Sequence, residues 1–452
     1  MRSPGHHLSL PLFDRAPDDV LFRSEAEDVA AGRFLADALA LAAVLPDAPH
    51  AVNLCEHRYW FTVAFAAALL RRQVSLLSGD RSTERLAMLA RRFPGLYALT
   101  DDPAWEGPLP RHRVAPARRG ADAGRPPTIP ATQAAALVFT SGSTGEPVAH
   151  RKAWGALAER SRDAARRFRL ARNIPAEVVG TVPPQHMYGF ETTVLWPLHA
   201  PVASWCGPAF YPEDIRSALG VVPGRRILVT TPLQIRALLQ AGAGLPKLDR
   251  VISATAPLYP ELASEAERRW NVPVWEIFGA TEVGSIASRR TVSGDIWAAY
   301  PRVRLHQSRP CAGAAETLVT GPFAEPHPLS DLVERLDPVR FRVLGRRTDV
   351  VKLGGRRTSL AGLNRVLTSI DGVLDGLFVA PADLDRRPTA RLSAFVVAPG
   401  ISVDAVMAGL RGRVDPLFLP RRIVHVDRLP RGETGKLPDA AMTVLRAQAG
   451  EW

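Results

Sequence analysis

Short apolar runs alternate with longer amphipathic stretches along most of the chain. The apolar runs are bounded by Gly and Pro, and the stretches between them have the apolar spacing of helices. This order predicts a β-α-β-α rhythm and therefore a largely parallel sheet covered by helices. A Pro- and Arg-rich stretch from Pro108 to Pro130 predicts an exposed connection. The strands predicted on this pattern are HAVNLCE, VSLL, LYALT, AAALVFT, EVVGTV, ILVTT and RVISATA.

The pattern changes at Gly345. A charged turn, GRRTD, is followed by VVKLGG, by the alternating run LSAFVVA and by a closing helix. We therefore expect a large N-terminal α/β domain over 1–344, a hinge at 345–349 and a small α+β C-terminal domain over 350–452. A charged loop within one domain would produce a similar pattern.

Composition narrows the possible compartments and partners. The three cysteines, Cys55, Cys206 and Cys311, are odd in number and widely spaced, which argues against a disulfide framework and a cysteine metal site. The most apolar window, Phe61 to Leu70, is far shorter than the roughly 20 residues that a membrane helix needs. No apolar signal core follows the first residues, so we expect a cytoplasmic protein without a membrane partner.

The chain is basic, with 57 Lys and Arg against 45 Asp and Glu, a net charge of +12. Such an excess favours an anionic nucleotide, an acidic protein or nucleic acid. Because the charges are scattered and form no basic tail, we expect no nucleic-acid partner. Nucleic-acid binding would show itself by a steep salt dependence.

Hydroxyls and glycines are concentrated directly after the predicted strand AAALVFT. Such a loop offers hydroxyls and approachable backbone N–H groups to phosphate oxygens. Its spacing does not fit GxxxxGK[ST], which disfavours a kinase or GTPase of that type. An ordinary Ser/Gly turn is the alternative. The loop residues are Thr140, Ser141, Gly142, Ser143, Thr144 and Gly145.

A second polar segment follows the strand that begins at Val274. Thr281 and Glu282 come after Gly279, at the expected carboxyl end of a parallel sheet, where open α/β folds place ligands. A carboxylate there could hold magnesium on nucleotide phosphates. Alternatively, Glu282 is an acid at the start of a helix, favoured by the dipole.

Two segments of the C-terminal region combine charge with backbone freedom. GRRTDVVKLGG, from Gly345, carries Arg346 and has the properties of a hinge, or of a solvated charged turn. RLPRGETGKLP places Lys436 between turns, where its ammonium could reach a developing charge. An exposed loop lysine is the alternative there.

In this order and with this separation, the four segments resemble the acyl-adenylate-forming enzymes: acyl- and aryl-CoA synthetases, peptide-synthetase adenylation domains and luciferases. The resemblance runs from about Leu137 to the C-terminus. It implies ATP and Mg²⁺ as cofactors and a small C-terminal domain that is mobile. Carboxylate attack on the α-phosphate of MgATP would yield acyl-AMP, and a pantetheine thiol would then displace AMP.

The resemblance also implies roles for individual residues. The loop from Thr140 to Gly145 would hold the ATP phosphates, Thr281 the AMP phosphate and Glu282 the metal. Asp331 and Arg346 would bind the ribose, and Lys436 would contact the carboxylate and bridging oxygen during adenylation. The further residues expected at the nucleotide are Lys152, Ala256, Phe278 and Gly279.

The segment TVPPQHMYGFE resembles the family's region before the acyl pocket, with His186 as a catalytic gate. A satisfied structural histidine is the alternative. The residues expected to border this pocket are His186, Tyr188, Gly189, Phe190, Ser253 and Ala254.

Four departures from the family pattern stand out. Val148 occupies the usual lysine position after the loop proline, with Arg151 and Lys152 following it. The hinge positions are Thr348 and Asp349, where the first is normally Asp or Lys. The Tyr-x-Thr-Gly that usually precedes Asp331 is missing, and the chain before the hinge is short.

The phrase SGSTGEP followed by HRKAW is similar to the small aryl-acid ligases of aryl-polyene or xanthomonadin-type pigment synthesis. That likeness implies a hydroxybenzoate-like aromatic acid and an acyl carrier protein as thiol acceptor. CoA as acceptor, with an aromatic or fatty acid, stays open. So does a noncatalytic relative that binds nucleotide or acyl ligand, motivated by Val148.

Overall fold

The structure is a computed structural model that describes residues 8–116, 124–140, 148–170, 175–242, 244–307, 316–346, 350–353, 356–381, 391–432, 437 and 439–450. By its internal contacts the chain divides into two compact units. The larger unit comprises Met1–Pro328 and Asp337–Arg340, and the smaller one Leu329–Leu336 and Phe341–Trp452. The smaller unit thus begins earlier in the chain than the sequence boundary at 344.

The larger unit has a βα architecture. Its strands are β1 (Ser9–Pro11), β2 (Val20–Arg23), β3 (Asp28–Ala30), β4 (His50–Asn53), β5 (Val74–Leu77), β6 (Tyr97–Thr100), β7 (Arg111–Arg113), β8 (Thr128–Pro130), β9 (Ala134–Thr140), β10 (Val148–Ala153), β11 (Ala176–Gly180), β12 (Val202–Trp205), β13 (Arg225–Thr230), β14 (Arg250–Ser253), β15 (Val274–Ala280), β16 (Gly284–Arg290), β17 (Ile296–Ala299), β18 (Arg304–Gln307), β19 (Thr317–Gly321) and β20 (Ala324–Pro328). Its helices are α1 (Ala31–Val44), α2 (Arg58–Leu70), α3 (Thr83–Arg92), α4 (Trp154–Arg167), α5 (Met187–Gly189), α6 (Trp196–His199), α7 (Pro212–Val221), α8 (Pro232–Gln240) and α9 (Pro260–Trp270). A π-helix, Phe190–Leu195, joins α5 to α6.

Two sheets form the framework of this unit. The first has the order β10-β9-β5-β4-β6-β7 and is parallel except for the β9–β10 pair. The second runs β17-β16-β15-β14-β13-β11-β12-β2-β3, and from β15 to β2 its strands are parallel. The predicted α/β class and each predicted strand are confirmed. The stretch from Pro108 to Pro130, expected as a connection, contributes β7 and β8 at its ends.

Helix α2 shows how composition sets position. Its apolar residues cover all sides rather than one stripe, and Phe61 and Phe65 are fully buried. A helix of that kind needs apolar partners all round. It packs against the first sheet, against α1 and against the π-helix, and its core continues to Phe190.

The smaller unit is α+β. Its elements are β21 (Asp331–Arg335), β22 (Arg340–Arg346), β23 (Val350–Leu353), β24 (Arg356–Ser359), α10 (Leu360–Thr368), β25 (Asp375–Val379), β26 (Ser393–Val397), α11 (Val403–Leu410), β27 (Arg422–His425) and α12 (Asp439–Gly450). β21 pairs with β22 and β23 with β24, while β25, β26 and β27 form a separate sheet. No helix in the described part of the chain is both long and apolar enough to cross a bilayer.

Candidate active site

The carboxyl ends of β11, β13, β14 and β15 meet at one edge of the second sheet, because these strands run parallel. The segments that follow β11, β14 and β15 carry many of the residues predicted for the acyl and nucleotide sites. Their convergence is the arrangement that open α/β sheets use to bind ligands.

β15 and β16 form a hairpin whose turn, residues 280–284, is called the hairpin tip below. Gly284 has a φ of +76°, and a Cβ atom there would lie 2.5 Å from Glu191 Oε1. A Cβ atom at Gly279 would lie 2.4 Å from the Gly284 carbonyl oxygen. The hairpin therefore needs glycine at both positions.

Thr281 and Glu282 are half-buried in the hairpin tip. The chain turns directly into β16 after Glu282, so the alternative that this acid begins a helix is wrong. None of the described residues donates a hydrogen bond to the Glu282 carboxylate.

The described residues test whether magnesium fits here. No group of three or more His, Cys, Asp and Glu side chains gathers as a metal site in that part of the chain. A magnesium ion at Glu282 would then take most of its oxygens from phosphates and water, which is the usual arrangement for this ion in nucleotide enzymes. The carboxylate suits a metal that arrives with its nucleotide.

Lys152 lies beneath the hairpin tip. Its side chain is buried, and Nζ donates a hydrogen bond of 2.6 Å to the Glu282 carbonyl oxygen. Burial lowers the pKa of Lys152 to about 8, and the charges of Glu191 and Glu282 oppose that shift. The lysine that the sequence placed at the phosphates is thus bonded to the backbone of the predicted metal ligand.

Arg151 and Val148, on the same strand, have different surroundings. Arg151 is exposed, and its guanidinium donates to the Thr132 carbonyl oxygen at 2.6 Å. Val148 is 48% exposed. Of the two bases that could offset the missing lysine, Lys152 is the one whose side chain reaches the hairpin tip.

The chain after β14 forms a second wall. Ser253 and Ala254 are buried, whereas Thr255 and Ala256 are half-buried, and Thr255 has a φ of +79°. Glu276 anchors the segment, because its carboxylate accepts a 2.8 Å hydrogen bond from the Leu258 backbone N–H. Of the residues predicted to line the site here, Ala256 is more accessible to a ligand than Ser253, because it is only half-buried.

Glu276 is itself buried and paired. Arg289 donates to it from Nε at 2.8 Å. Burial raises the pKa of Glu276, and Arg289 acts in the opposite direction.

The predicted gate segment follows β11. His186 is half-buried, and its Nδ1 accepts a 3.3 Å hydrogen bond from the Tyr188 backbone N–H, which caps α5. Tyr188 is buried and donates its hydroxyl to the Ile252 carbonyl oxygen at 2.8 Å. A Cβ atom at Gly189 would lie 2.1 Å from the Pro183 carbonyl oxygen. The histidine thus has a structural hydrogen bond, while its role as a gate stays a prediction.

Some of the other residues predicted for the site lie in the described part of the chain and some lie outside it. Phe278 is half-buried and its ring contacts that of Trp297 in a tilted arrangement, with a centroid distance of 5.4 Å, while Gly279 is exposed. In the smaller unit, Asp331 lies directly opposite Arg346 in the β21–β22 register, which brings the two predicted ribose residues together. The predicted residues outside the described part of the chain are Ser141, Gly142, Ser143, Thr144, Gly145, Thr348, Asp349 and Lys436.

Comparison with known proteins identifies the family. The family described as AMP-binding enzyme matches residues 45–319. The chain belongs to the AMP-binding enzyme family. A 4-coumarate–CoA ligase of Rhodobacter capsulatus is 31% identical over 310 residues, 68% of this chain and 75% of that protein. An indoleacetate–CoA ligase of Aromatoleum aromaticum is 25% identical over 358 residues, 71% of this chain and 69% of that protein.

Solved structures share the fold of this AMP-binding enzyme. ATP-bound MatB from Rhodopseudomonas palustris aligns with a TM-score of 0.79 at 21% identity, covering 97% of both chains. O-succinylbenzoate CoA synthetase from Bacillus subtilis, in complex with its acyl-adenylate intermediate, aligns with a TM-score of 0.77 at 18% identity and covers 98% of both. The fold class expected from the sequence is therefore confirmed.

Two buried carboxylates of this AMP-binding enzyme, Glu191 and Glu276, were missed by the sequence reasoning. Glu191 is 4% exposed in the π-helix and accepts hydrogen bonds of 3.1 Å from the Ser285 backbone N–H. The signal for it was a single acid within the apolar run MYGFETTVLW. A buried acid is rarely tolerated without partners, so its isolation in such a run marks a specific environment.

Proposed function

We propose that this chain is an ATP-dependent ligase that joins an aryl carboxylic acid to a pantetheine thiol. In the first half-reaction the carboxylate oxygen attacks the α-phosphorus of ATP. The bond from that phosphorus to the oxygen bridging to the β-phosphate breaks, and pyrophosphate leaves with this oxygen. In the second half-reaction a thiolate attacks the acyl carbonyl carbon, and AMP leaves with its phosphate oxygen.

The observation that carries this proposal is the hairpin tip. It presents Thr281 and Glu282 at the carboxyl edge of a parallel sheet, in a chain of the AMP-binding enzyme family. Glu282 would hold the magnesium ion, which neutralises charge on the phosphates when it is bound. Thr281 would donate its hydroxyl to the α-phosphate, the group at which charge changes during adenylation.

Residues beyond the hairpin tip are proposed to bind the remaining groups. The loop from Thr140 to Gly145 would donate backbone and hydroxyl hydrogen bonds to the phosphates, as its composition favours. Asp331 and Arg346, opposite one another in their hairpin, would bind the ribose. Lys436 would place its ammonium at the reacting carboxylate. Such placement converts a bimolecular encounter into an oriented reaction.

The aryl class of the acid rests on the relatives. The curated relatives include ligases named for 4-coumarate and for indoleacetate, both of which are carboxylic acids that carry an aromatic ring. They support an aromatic acid, and the likeness of SGSTGEP and HRKAW to the small aryl-acid ligases favours a hydroxybenzoate-like one. The pocket would lie between the segment at His186 and the wall at Ala256.

An acyl carrier protein is proposed as the acceptor on grounds of charge. The net charge of +12 favours an acidic protein surface, and complementary charge mainly accelerates association. The relatives named as CoA ligases support CoA as the alternative. Phosphorylated CoA would benefit from the same positive field.

Acid-dependent exchange of labelled pyrophosphate into ATP tests adenylation. We expect exchange with a benzoate-type acid, and a loss in Glu282→Gln because the metal ligand is removed. Glu265→Gln, a change at an exposed acid on α9, is the matched control and should exchange like the wild type. No exchange with any acid would favour the noncatalytic nucleotide-binding relative, for which the exposed Val148 is the motivating observation.

The acceptor is tested separately. Thioester formation is measured with CoA and with a phosphopantetheinylated carrier protein at two salt concentrations. We expect the carrier reaction to be the faster one at low salt and to slow as salt screens exposed charges. Equal or faster reaction with CoA at low salt would refute the carrier assignment while leaving adenylation intact.

A further inference from the structure

Two oppositely charged side chains lie buried directly under the hairpin tip. Lys152, on β10, is 6% exposed and donates to the Glu282 carbonyl oxygen. Glu191, on the π-helix, accepts from the Ser285 backbone N–H and from the Ser285 hydroxyl. Lys152 therefore bonds to the backbone just before Val283, and Glu191 bonds to the backbone just after Gly284.

Sterics reinforce the same arrangement. A Cβ atom at Gly284 would lie 2.5 Å from Glu191 Oε1, so the carboxylate lies directly against the backbone of the hairpin tip. This contact and the bonds to Ser285 leave the carboxylate little room to shift. The position of Glu191 and the path of the backbone at the hairpin tip therefore depend on one another.

Glu191 lies on the π-helix Phe190–Leu195. A π-helix is closed by i→i+5 hydrogen bonds, and single π turns are often found at functional sites. Here the Thr192 hydroxyl donates to the Tyr188 carbonyl and the Thr193 hydroxyl to the Gly189 carbonyl, both at 2.7 Å. Glu191, on the same helix, bonds outside it instead, because its carboxylate accepts from the Ser285 backbone N–H.

Burying these charges opposes folding. Desolvation raises the pKa of Glu191 and lowers that of Lys152, so each charged form is disfavoured by its surroundings. Arg160, also buried, acts electrostatically on both groups. Apolar residues of similar volume are often neutral or stabilising in place of a buried ion pair. Retaining the charges therefore calls for a reason other than stability.

We propose that Lys152 and Glu191 are positioning residues that hold the hairpin tip in the geometry in which Thr281 and Glu282 receive magnesium and nucleotide. The inference rests on the proposed function, because it assigns the hairpin tip to MgATP. Lys152 fixes the Glu282 peptide from the first sheet, and Glu191 fixes Ser285 from the π-helix. Neither side chain needs to touch the nucleotide to act in this way.

The test measures MgATP binding and magnesium dependence in Lys152→Met, Glu191→Gln and the double variant. Direct binding of ATP with and without Mg²⁺ gives the gain in affinity that the metal supplies. In each single variant we expect that gain to fall about 10–100-fold, the usual effect of removing a group that orients a metal ligand. The KM for MgATP in pyrophosphate exchange should rise, while the KM for the acid should change little.

Glu177→Gln is the matched control. Glu177 is 6% exposed, and its carboxylate accepts a 2.8 Å hydrogen bond from Arg23. It lies at the amino end of β11, whereas the hairpin tip follows the carboxyl end of β15. This variant should lose stability without any change in the metal's contribution to ATP affinity. The double variant separates the two effects further, because removing both buried charges restores part of the stability but not the fixed hairpin tip.

The possible outcomes are distinct. The positioning role alone is overturned if Lys152→Met and Glu191→Gln behave like Glu177→Gln. Both variants would then be less stable, while the gain in ATP affinity from the metal would be unchanged. The positioning role is also overturned if the double variant recovers both its stability and the gain in ATP affinity that the metal supplies. A wild-type chain that binds no MgATP would overturn both this inference and the proposed function.

Discussion

Substitution of Gly284 by alanine tests whether the hairpin tip is held as described. The position combines a φ of +76° with a buried carboxylate 2.5 Å from the new methyl group. Two independent effects are therefore expected to act on one small change. Gly224, with a φ of +64° and no atom within 4 Å of its virtual Cβ, provides the control for the backbone effect alone.

The magnitude follows from adding the two effects. A non-glycine residue in the left-handed region costs about 1–2 kcal/mol, and Gly224→Ala should show roughly this loss. Overpacking a buried position adds about 1–3 kcal/mol, because Glu191 cannot retreat without giving up its bonds to Ser285. We therefore expect Gly284→Ala to lower the free energy of unfolding by about 2–5 kcal/mol, the sum of those two ranges.

The assay is urea denaturation of both variants beside the wild type, followed by pyrophosphate exchange at a temperature where all three are folded. Gly284→Ala should lose exchange activity as well as stability, whereas Gly224→Ala should keep its activity. Equal destabilisation of the two variants, with activity intact in both, would refute the account of the hairpin tip.

Three further predictions concern groups around the site. Tyr188→Phe removes the buried hydroxyl bonded to the Ile252 carbonyl and should lower the free energy of unfolding by about 0.5–1.5 kcal/mol, measured by urea denaturation. Glu276→Ala removes the acceptor of the Leu258 N–H and the partner of the half-buried Arg289 and should cost about 1–3 kcal/mol, and a partial recovery in the double variant with Arg289→Met checks the share of Arg289. Burial lowers the pKa of His199 to about 3, below the unfolded value of about 6.5, so protonation favours the unfolded chain. Stability should then fall by about 1.4 kcal/mol for each pH unit from 6.5 towards 3, and a pH series on His199→Phe should show a shallower fall.

Some of the architecture could be predicted because local patterns report burial directly. The apolar run from Val74 to Leu77 and the run from Arg250 to Ser253 became parallel strands, since short runs bounded by turn residues are typical of buried strands. The position of Thr281 and Glu282 after a strand end was likewise inferred from chain order. In the structure both residues are half-buried and follow directly after β15.

The orientation of the site depended on contacts between distant residues. The structure makes Glu282 part of a hairpin rather than the start of a helix, because Gly284 adopts a positive φ and returns the chain along β15. The glycine was visible in the sequence, but its φ was not. Similarly, Lys152 and Arg151 are neighbouring bases on one strand. They differ because the side chain of Lys152 lies on the buried face of β10 and that of Arg151 on the exposed face.

Glu191 is the clearest example of a residue whose partner could not be predicted from the sequence. Its place in an apolar run signals an unusual acid, yet its partner Ser285 is 94 positions away. Local periodicity carries no information about a pairing at that separation. The same holds for the register that sets Asp331 opposite Arg346, which follows from a bulge between Leu332 and Val333.

The supports of the hairpin tip also bear on how the enzyme acquires activity during folding. The bond from Lys152 to the Glu282 carbonyl spans 130 positions, and that from Ser285 to Glu191 spans 94. Contacts of such long sequence separation form late, because the loop-closure entropy must be overcome before they contribute. The hairpin tip can be completed only when both sheets are in place. In refolding from denaturant, magnesium-dependent ATP binding should therefore return more slowly than the helical circular dichroism signal.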